Sequence, residues 1–309
     1  MTTLARTWCL LIALGLLAIL SKPAAAQDLE PRAYSASPIG TIFALVGFGR
    51  SSGDVTFDPS IPITNVHGTF HVPVIGVGQT FPLFGRQALM TAGLPYAWGN
   101  VTGNVGEQAG SVYRSGLADL KAKFSVNLRG NPAMTPREFA SREHHNFIIG
   151  ASLSLDIPAG QYSGKKLINL GTNRWAFKPE VGVSWPVKKL YLDLYAGAWF
   201  YTANSNFYPG GGYRAQDTLT ALQAHVSYTF RPRLWVAIDS TWYGGGVTTV
   251  NGGTPTPRQS NSRLGATLSL PLAKTQSLKI AYSSGVTGTI GADFNTISVG
   301  WQKVWFDRR

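Results

Sequence analysis

Few residues in this chain have the type and spacing that catalysis demands. Its 309 residues include five histidines and one cysteine, so a cysteine-ligated metal centre and a disulfide framework are both excluded. One pattern pairs a nucleophile with a base, His225-Val226-Ser227. Residues two apart on a strand share a face, so an imidazole at 225 could take the proton of a hydroxyl at 227. His67 and His71 also share a strand face, but no carboxylate lies near them in sequence. His144 and His145 are adjacent, and neighbouring side chains at a strand edge point apart, which argues against a joint metal site. No phosphate loop, dinucleotide fingerprint or zinc-protease motif occurs. The expectation is a non-enzyme that needs no metal and no cofactor.

The elements that must position these residues follow a period of two. From Leu117, one face carries Leu120, Ala122, Phe124, Val126 and Leu128, and the other Asp119, Lys121, Lys123, Ser125 and Asn127. The stretch from Phe147 to Ile157 alternates in the same way. Such alternation argues half-buried strands. At about 10 residues or more, each run is long enough for a tilted strand to cross a bilayer. Twelve such segments can be drawn, at about 39–50, 66–81, 86–98, 117–130, 145–158, 175–186, 189–202, 218–231, 234–244, 262–271, 277–287 and 294–305. Their links alternate. Those at 82–85, 187–188, 231–233 and 272–276 are short; those at 51–65, 99–116, 159–174, 203–217 and 245–261 are long and rich in Gly, Asn, Ser and Pro. An even strand number with short periplasmic turns and long outer loops describes an outer-membrane barrel. The link 131–144 breaks the alternation and holds a stretch, Pro136 to Ser141, able to form a short helix.

The N-terminus supports export. Arg6 precedes an apolar run from Trp8 to Leu20, and Ala24-Ala25-Ala26 offers a cleavage site. Residues 1–26 read as a signal peptide and 27–309 as a single barrel domain. Only about a dozen residues separate Gln27 from Ile39, which leaves none for a plug domain and argues against an energised, plugged transporter. Aromatic residues near segment ends (Phe81 and Phe84, Tyr96 and Trp98, Trp175 and Phe177, Trp199 to Tyr201, Trp242 and Tyr243, Trp301 and Trp305) read as interfacial girdles. A soluble β-sandwich or lipocalin-like barrel shares the alternation. The leader, the long strands, the unequal loops and the aromatic ends together favour the membrane. Charged residues are only 14% of the chain against 44% hydrophobic, well below the ~25% charged of soluble domains.

With the apolar face outward, the alternation turns Asp119, Lys121, Lys123, Asp156, Lys178, Glu180, Asp193, Asp239, Arg263 and Lys279 inward, together with His225. These are the candidate lumen-lining residues. Most would pair across strands and fill a narrow barrel, and some could orient a solute through a local field. Lys178 and Glu180 are the expected exceptions to simple filling. The remaining excess of positive charge, +12 overall, maps to Arg50, Arg114, Lys165, Lys166, Arg174, Arg214 and Arg258 in outer loops or strand ends. There it could meet the phosphates of lipopolysaccharide. Nucleic acid is not an expected partner, since the basic residues form no compact aromatic-interleaved patch.

NLGTNRWAFKPEVGVS (Asn169 to Ser184), with SGDVTFDPSIPI (Ser52 to Ile63), GLADLKAKFSVNLRG (Gly116 to Gly130) and NSRLGATLSLPL (Asn261 to Leu272), resembles the outer-membrane transporter family of the meta-pathway of phenol degradation. The similarity runs from about Leu29 to Trp305. It implies an outer-membrane β-barrel that passes aromatic or other hydrophobic compounds, with Lys178 and Glu180 inside the most specific stretch. Barrels of this kind usually end on an aromatic residue read by the insertion machinery, whereas Trp305 is followed here by Phe306, Asp307, Arg308 and Arg309. The His-x-Ser spacing at 225–227 is similar to that of the outer-membrane phospholipase, but that enzyme carries its pair on the lipid-facing side. The alternation turns this one inward.

The sequence therefore describes an all-β chain, a twelve-stranded antiparallel transmembrane barrel after a cleaved signal peptide. Its expected role is the passive passage of small hydrophobic or aromatic, phenol-like compounds across the outer membrane. The expected contacts are membrane lipid, lipopolysaccharide, the insertion machinery and a small-molecule solute. A non-transporting structural or surface barrel is the alternative, and an acyl hydrolase a remoter one.

Overall fold

The computed structural model describes residues 29–56, 63–142, 146–287 and 291–306. The expected signal peptide and the His144–His145 pair lie outside the described residues.

The chain forms β1 (Thr41–Thr56), β2 (Ile63–Leu83), β3 (Arg86–Val105), β4 (Gln108–Leu117), β5 (Leu120–Arg129), helix α1 (Pro136–Ala140), β6 (Ile148–Ile157), β7 (Ala176–Val187), β8 (Leu190–Tyr201), β9 (Asn204–Phe207), β10 (Gly212–Gln216), β11 (Leu219–Arg231), β12 (Leu234–Gly245), β13 (Thr248–Val250), β14 (Gln259–Ala273), β15 (Gln276–Thr287) and β16 (Gly291–Phe306). Every pairing in the main sheet is antiparallel. The sheet closes where β1 meets both β2 and β16 and β2 meets β3. β4 and β5 are two halves of one stave. β3 pairs with β4 along its outer half, Tyr96 opposite Leu117, and with β5 along the other, Ala88 opposite Val126. The thirteen strands of the sheet thus make twelve staves.

The barrel is inside-out relative to a soluble one. Ile238 is 68% exposed while its neighbour Asp239 is 0% exposed, and the same contrast sets Val226 at 50% against Ser227 at 0%. Burying charge while displaying aliphatic side chains is stable only if the outer surface meets lipid. The protein is an outer-membrane barrel in contact with membrane lipid.

At one end the staves are joined by two-residue turns. Phe84-Gly85 has both residues at positive φ, 48° and 74°, the backbone that matches strand twist in a tight hairpin. Tight turns mark the periplasmic end. The exception there is residues 130–147, which carry α1, closed at its start by a capping box between Thr135 and Glu138. Hydrogen bonds from the Thr135 backbone and side chain hold the Glu138 carboxyl below its ordinary value.

The outer end departs from the sequence expectation. Residues 99–116, read as a loop, form the outer part of the β3–β4 hairpin, with Val105 opposite Gln108. The links 203–217 and 245–261 contribute β9, β10 and β13, which form a separate three-stranded sheet. Glycine-rich composition hid these strands because it weakens the alternation on which strand assignment rests.

Candidate functional site: the barrel interior

The interior divides into two halves. Its periplasmic half is occupied by residues 29–40, which lead from β1 into the lumen. Ile39 N donates to Met134 O at 2.8 Å, and Ser37 N to Gln87 Oε1 at 2.7 Å. Deeper in, Tyr34 donates to Glu180 Oε1 at 3.2 Å, lies 3.0 Å from Ser152 Oγ, and meets the Tyr195 ring edge-on at 5.1 Å. Two facing glycines make room for that ring. A Cβ on Gly150 would fall 2.1 Å from Tyr34, and one on Gly182 would fall 2.4 Å from it. Arg32 donates to Ser227 Oγ and Thr229 Oγ1, each at 2.7 Å, and its backbone N–H donates to Asp193 Oδ2 at 3.1 Å. Its guanidinium lies over the rings of Tyr191 and Trp235. The segment therefore reaches β5, β6, β7, β8, β11 and β12 through side chains chosen to receive it. A dozen residues, too few for a plug domain, are enough to fill this half.

Beside the segment, a cavity of about 680 Å³ extends from the outer part of the lumen down to Phe43 and Lys279, near the periplasmic ends of β1 and β15. Lys121, Lys123, Lys178 and Lys279 line it, with Trp199, Tyr201 and Tyr243. Lys121 at its outer end is half-exposed and pairs with Asp156 at 3.0 Å. Lys178 pairs with Glu180 at 2.8 Å and lies 5.6 Å from the Trp199 ring centre. Lys279 lies over Trp235 at 5.5 Å. Glu30 of the inserted segment borders it and is ion-paired with Lys123, which also lies 3.9 Å from Glu180. Burial raises the Glu30 carboxyl pKa, but the ammonium groups of Lys123, Lys178 and Lys279 outweigh this and bring it down to about 2.

The other candidate residues are engaged elsewhere in the wall. Glu180 accepts from Lys178, Tyr34 and Gln223. Asp193 accepts from Ser184 and the Arg32 backbone. Asp239 bonds His225 Nδ1 and Thr267 Oγ1, each at 2.8 Å. Arg263 donates to Ser283 and to the Phe294 carbonyl. Asp119 does not line the cavity. It sits at the break between β4 and β5 and accepts from Gly160 N, Thr172 N and the Thr172 hydroxyl, clamping the 158–175 loop over the rim.

Trp199 and Tyr201, read from sequence as girdle residues, point inward, and only Phe200 between them faces outward. Arg174, read as a contact for lipopolysaccharide, is buried over the Tyr201 ring at 4.3 Å and donates to Gln216. The signal that could have found the two aromatic residues is parity, since Trp199 and Tyr201 share the face of Asp193 on β8.

Neither enzyme-like pattern assembles a hydrolase. The Ser227 hydroxyl accepts from Arg32, while His225 is turned onto Asp239. At the outer rim, register brings Asp54 opposite His67, their side chains 2.8 Å apart, with Ser52 Oγ 3.2 Å from the other ring nitrogen. This Ser-His-Asp order was hidden because its members lie on two strands. The His67 and Asp54 side chains are 50% and 77% exposed, and Ser52 also bonds Thr69. His71 instead stacks on Trp98 at 5.6 Å. Among the described residues, no group of His, Cys, Asp and Glu could hold a metal ion.

The fold matches solved outer-membrane barrels. The COG4313 outer membrane channel from Pseudomonas putida F1 aligns with a TM-score of 0.74 at 20% identity, covering 90% of this chain and all of that one. The transport unit of the autotransporter AIDA-I from Escherichia coli aligns with a TM-score of 0.50 at 10% identity, covering 91% and 93%. The β domain of the Bordetella autotransporter BrkA aligns with a TM-score of 0.50 at 14% identity, covering 86% and 100%. No curated protein matches the chain. The sequence profile described as "Putative MetA-pathway of phenol degradation" matches residues 64–299, and the chain belongs to that family.

Proposed function

We propose that this protein is a passive channel for small aromatic or hydrophobic solutes, which collect in the outer half of the lumen and pass when the inserted N-terminal segment yields. The observation that carries the reading is the cavity itself, a space of about 680 Å³ lined by aromatic side chains within a closed barrel. A small solute would contact Trp199, Tyr201 and Tyr243 in succession, and diffusion down a gradient needs no covalent step. Beyond the backbone bonds of Ile39 and Gly40 next to β1, the segment is held by hydrogen bonds to side chains, cation–π contacts and an ion pair, and it belongs to no described strand, so its release leaves the barrel wall intact.

A second reading is a structural surface barrel, and the filled periplasmic half favours it. Uptake into liposomes by the refolded protein separates the two. A channel raises the flux of a hydroxylated aromatic acid above that of protein-free vesicles, and removing residues 29–36 raises it further. A structural barrel shows no flux in the intact form, and the truncation costs it stability.

A further inference from the structure

The cavity is more specific than a route for neutral phenols requires. Among the described residues, four lysines and two carboxylates, Glu30 and Asp156, line it, and Lys123 also lies 3.9 Å from Glu180. Lys121 is bonded to Asp156 at the outer end and Lys178 to Glu180 in the wall. Lys279 has no carboxylate within ion-pair distance among the described residues. Glu30, the acid that faces Lys123 and Lys279, is no part of the wall. Its side chain remains 37% exposed. The segment that carries it is anchored separately by Arg32, Tyr34 and Ser37. The carboxylate can therefore swing away without undocking the segment.

We infer that Glu30 is a tethered stand-in for a ligand carboxylate, and that the cavity binds an aromatic carboxylic acid whose anion takes the place of Glu30 between Lys123 and Lys279. Resting on the channel reading, this names its solute class. The ring of the acid meets Trp199 and Tyr201, whose planes are only 15° apart with centres 6.5 Å apart. Arg174 covers the Tyr201 ring and Lys178 Nζ lies 5.6 Å from the Trp199 ring centre, so the ring of the acid packs at the Trp199 end of this pair. Exchanging one carboxylate for another keeps the buried ammonium groups paired, so binding avoids the cost of desolvating an uncompensated charge. A neutral phenol satisfies the aromatic wall and leaves the lysine pair to Glu30.

The test is a titration of the refolded full-length barrel in detergent micelles, read by tryptophan fluorescence, with benzoate, benzamide and cyclohexanecarboxylate. Benzoate should bind at least tenfold more tightly than either comparison compound. The substitution Glu30→Gln should tighten benzoate severalfold and leave benzamide unchanged, because the internal competitor is gone. Lys279→Met should abolish the preference for benzoate over benzamide. Equal binding of benzoate and benzamide by the unmodified protein overturns the proposal, and this arm needs no variant to fold. Cyclohexanecarboxylate binding as tightly as benzoate overturns the aromatic part. A Glu30→Gln protein that binds benzoate no better overturns the exchange. Liposome flux is scored separately. Benzoate-selective binding without flux defeats the channel reading alone, and flux without benzoate preference defeats this inference alone.

Discussion

The two halves of the lumen use the same kinds of side chain to opposite ends. In the periplasmic half, Asp193 and Ser227 are almost wholly buried and meet Arg32 of the inserted segment, whose own Tyr34 is buried against Ser152 of the wall. In the outer half, Lys121 and Glu30 keep substantial exposure, and the charged groups surround space. What separates a sealed region from a receptive one is therefore the reach of a dozen residues. Glu30 borders the cavity, and the wall around it is polar and aromatic.

The largest way to break this contrast is to remove the filling. Deleting residues 29–36 should raise single-channel conductance in planar bilayers severalfold; an unchanged conductance would mean that the segment does not close the lumen. The next effect falls on the wall. Asp239→Ala strands His225 Nδ1 and the Thr267 hydroxyl in a fully buried site, and should cost about 3–5 kcal/mol in denaturant unfolding, as for a broken buried pair. A loss below 1 kcal/mol would show that water reaches this part of the lumen. In the outer half, Trp199→Ala should weaken retention of an aromatic solute by about 1 kcal/mol, the worth of one ring pair, and leave the unfolding midpoint nearly unchanged. Lys121→Ala removes a half-exposed pair with Asp156 and should change stability by less than about 1 kcal/mol.

The smallest expected effect concerns pH. The Glu30 carboxyl is depressed to about 2, so its ion pairing contributes fully above the ordinary carboxylate range and is lost only as pH falls through about 2. Conductance at pH 4 and pH 7 should therefore agree. A sharp rise between them would mean that Glu30 titrates like a free carboxylate and that the lysines do not hold it.

Legibility in the sequence tracked local periodicity. Strands with one lipid-facing side, such as Leu219–Arg231, alternate strictly because lipid tolerates no inserted charge, and their faces can be read by counting in twos. Trp199 and Tyr201 yield to the same counting, but their place at a strand end suggested a girdle. The Asp54–His67 contact required the β1–β2 register, which no pattern in either strand specifies. Residues 29–40 have no period at all. Their meaning lies in Gly150 and Gly182, which read as ordinary strand glycines until the Tyr34 ring is placed between them.

The inserted segment also bears on the order in which the molecule is built. Arg32 meets partners 161, 195 and 197 residues further along the chain, on staves made long after it. Such contacts cannot form until β8 and β11 stand beside each other, and closing a long span of chain is slow. Arg32 therefore settles only after staves far along the chain have paired. A polypeptide that stalls with the middle staves unpaired has no site to receive it. Docking of Arg32 and Tyr34 thus ties the start of the barrel to the pairing of its middle staves.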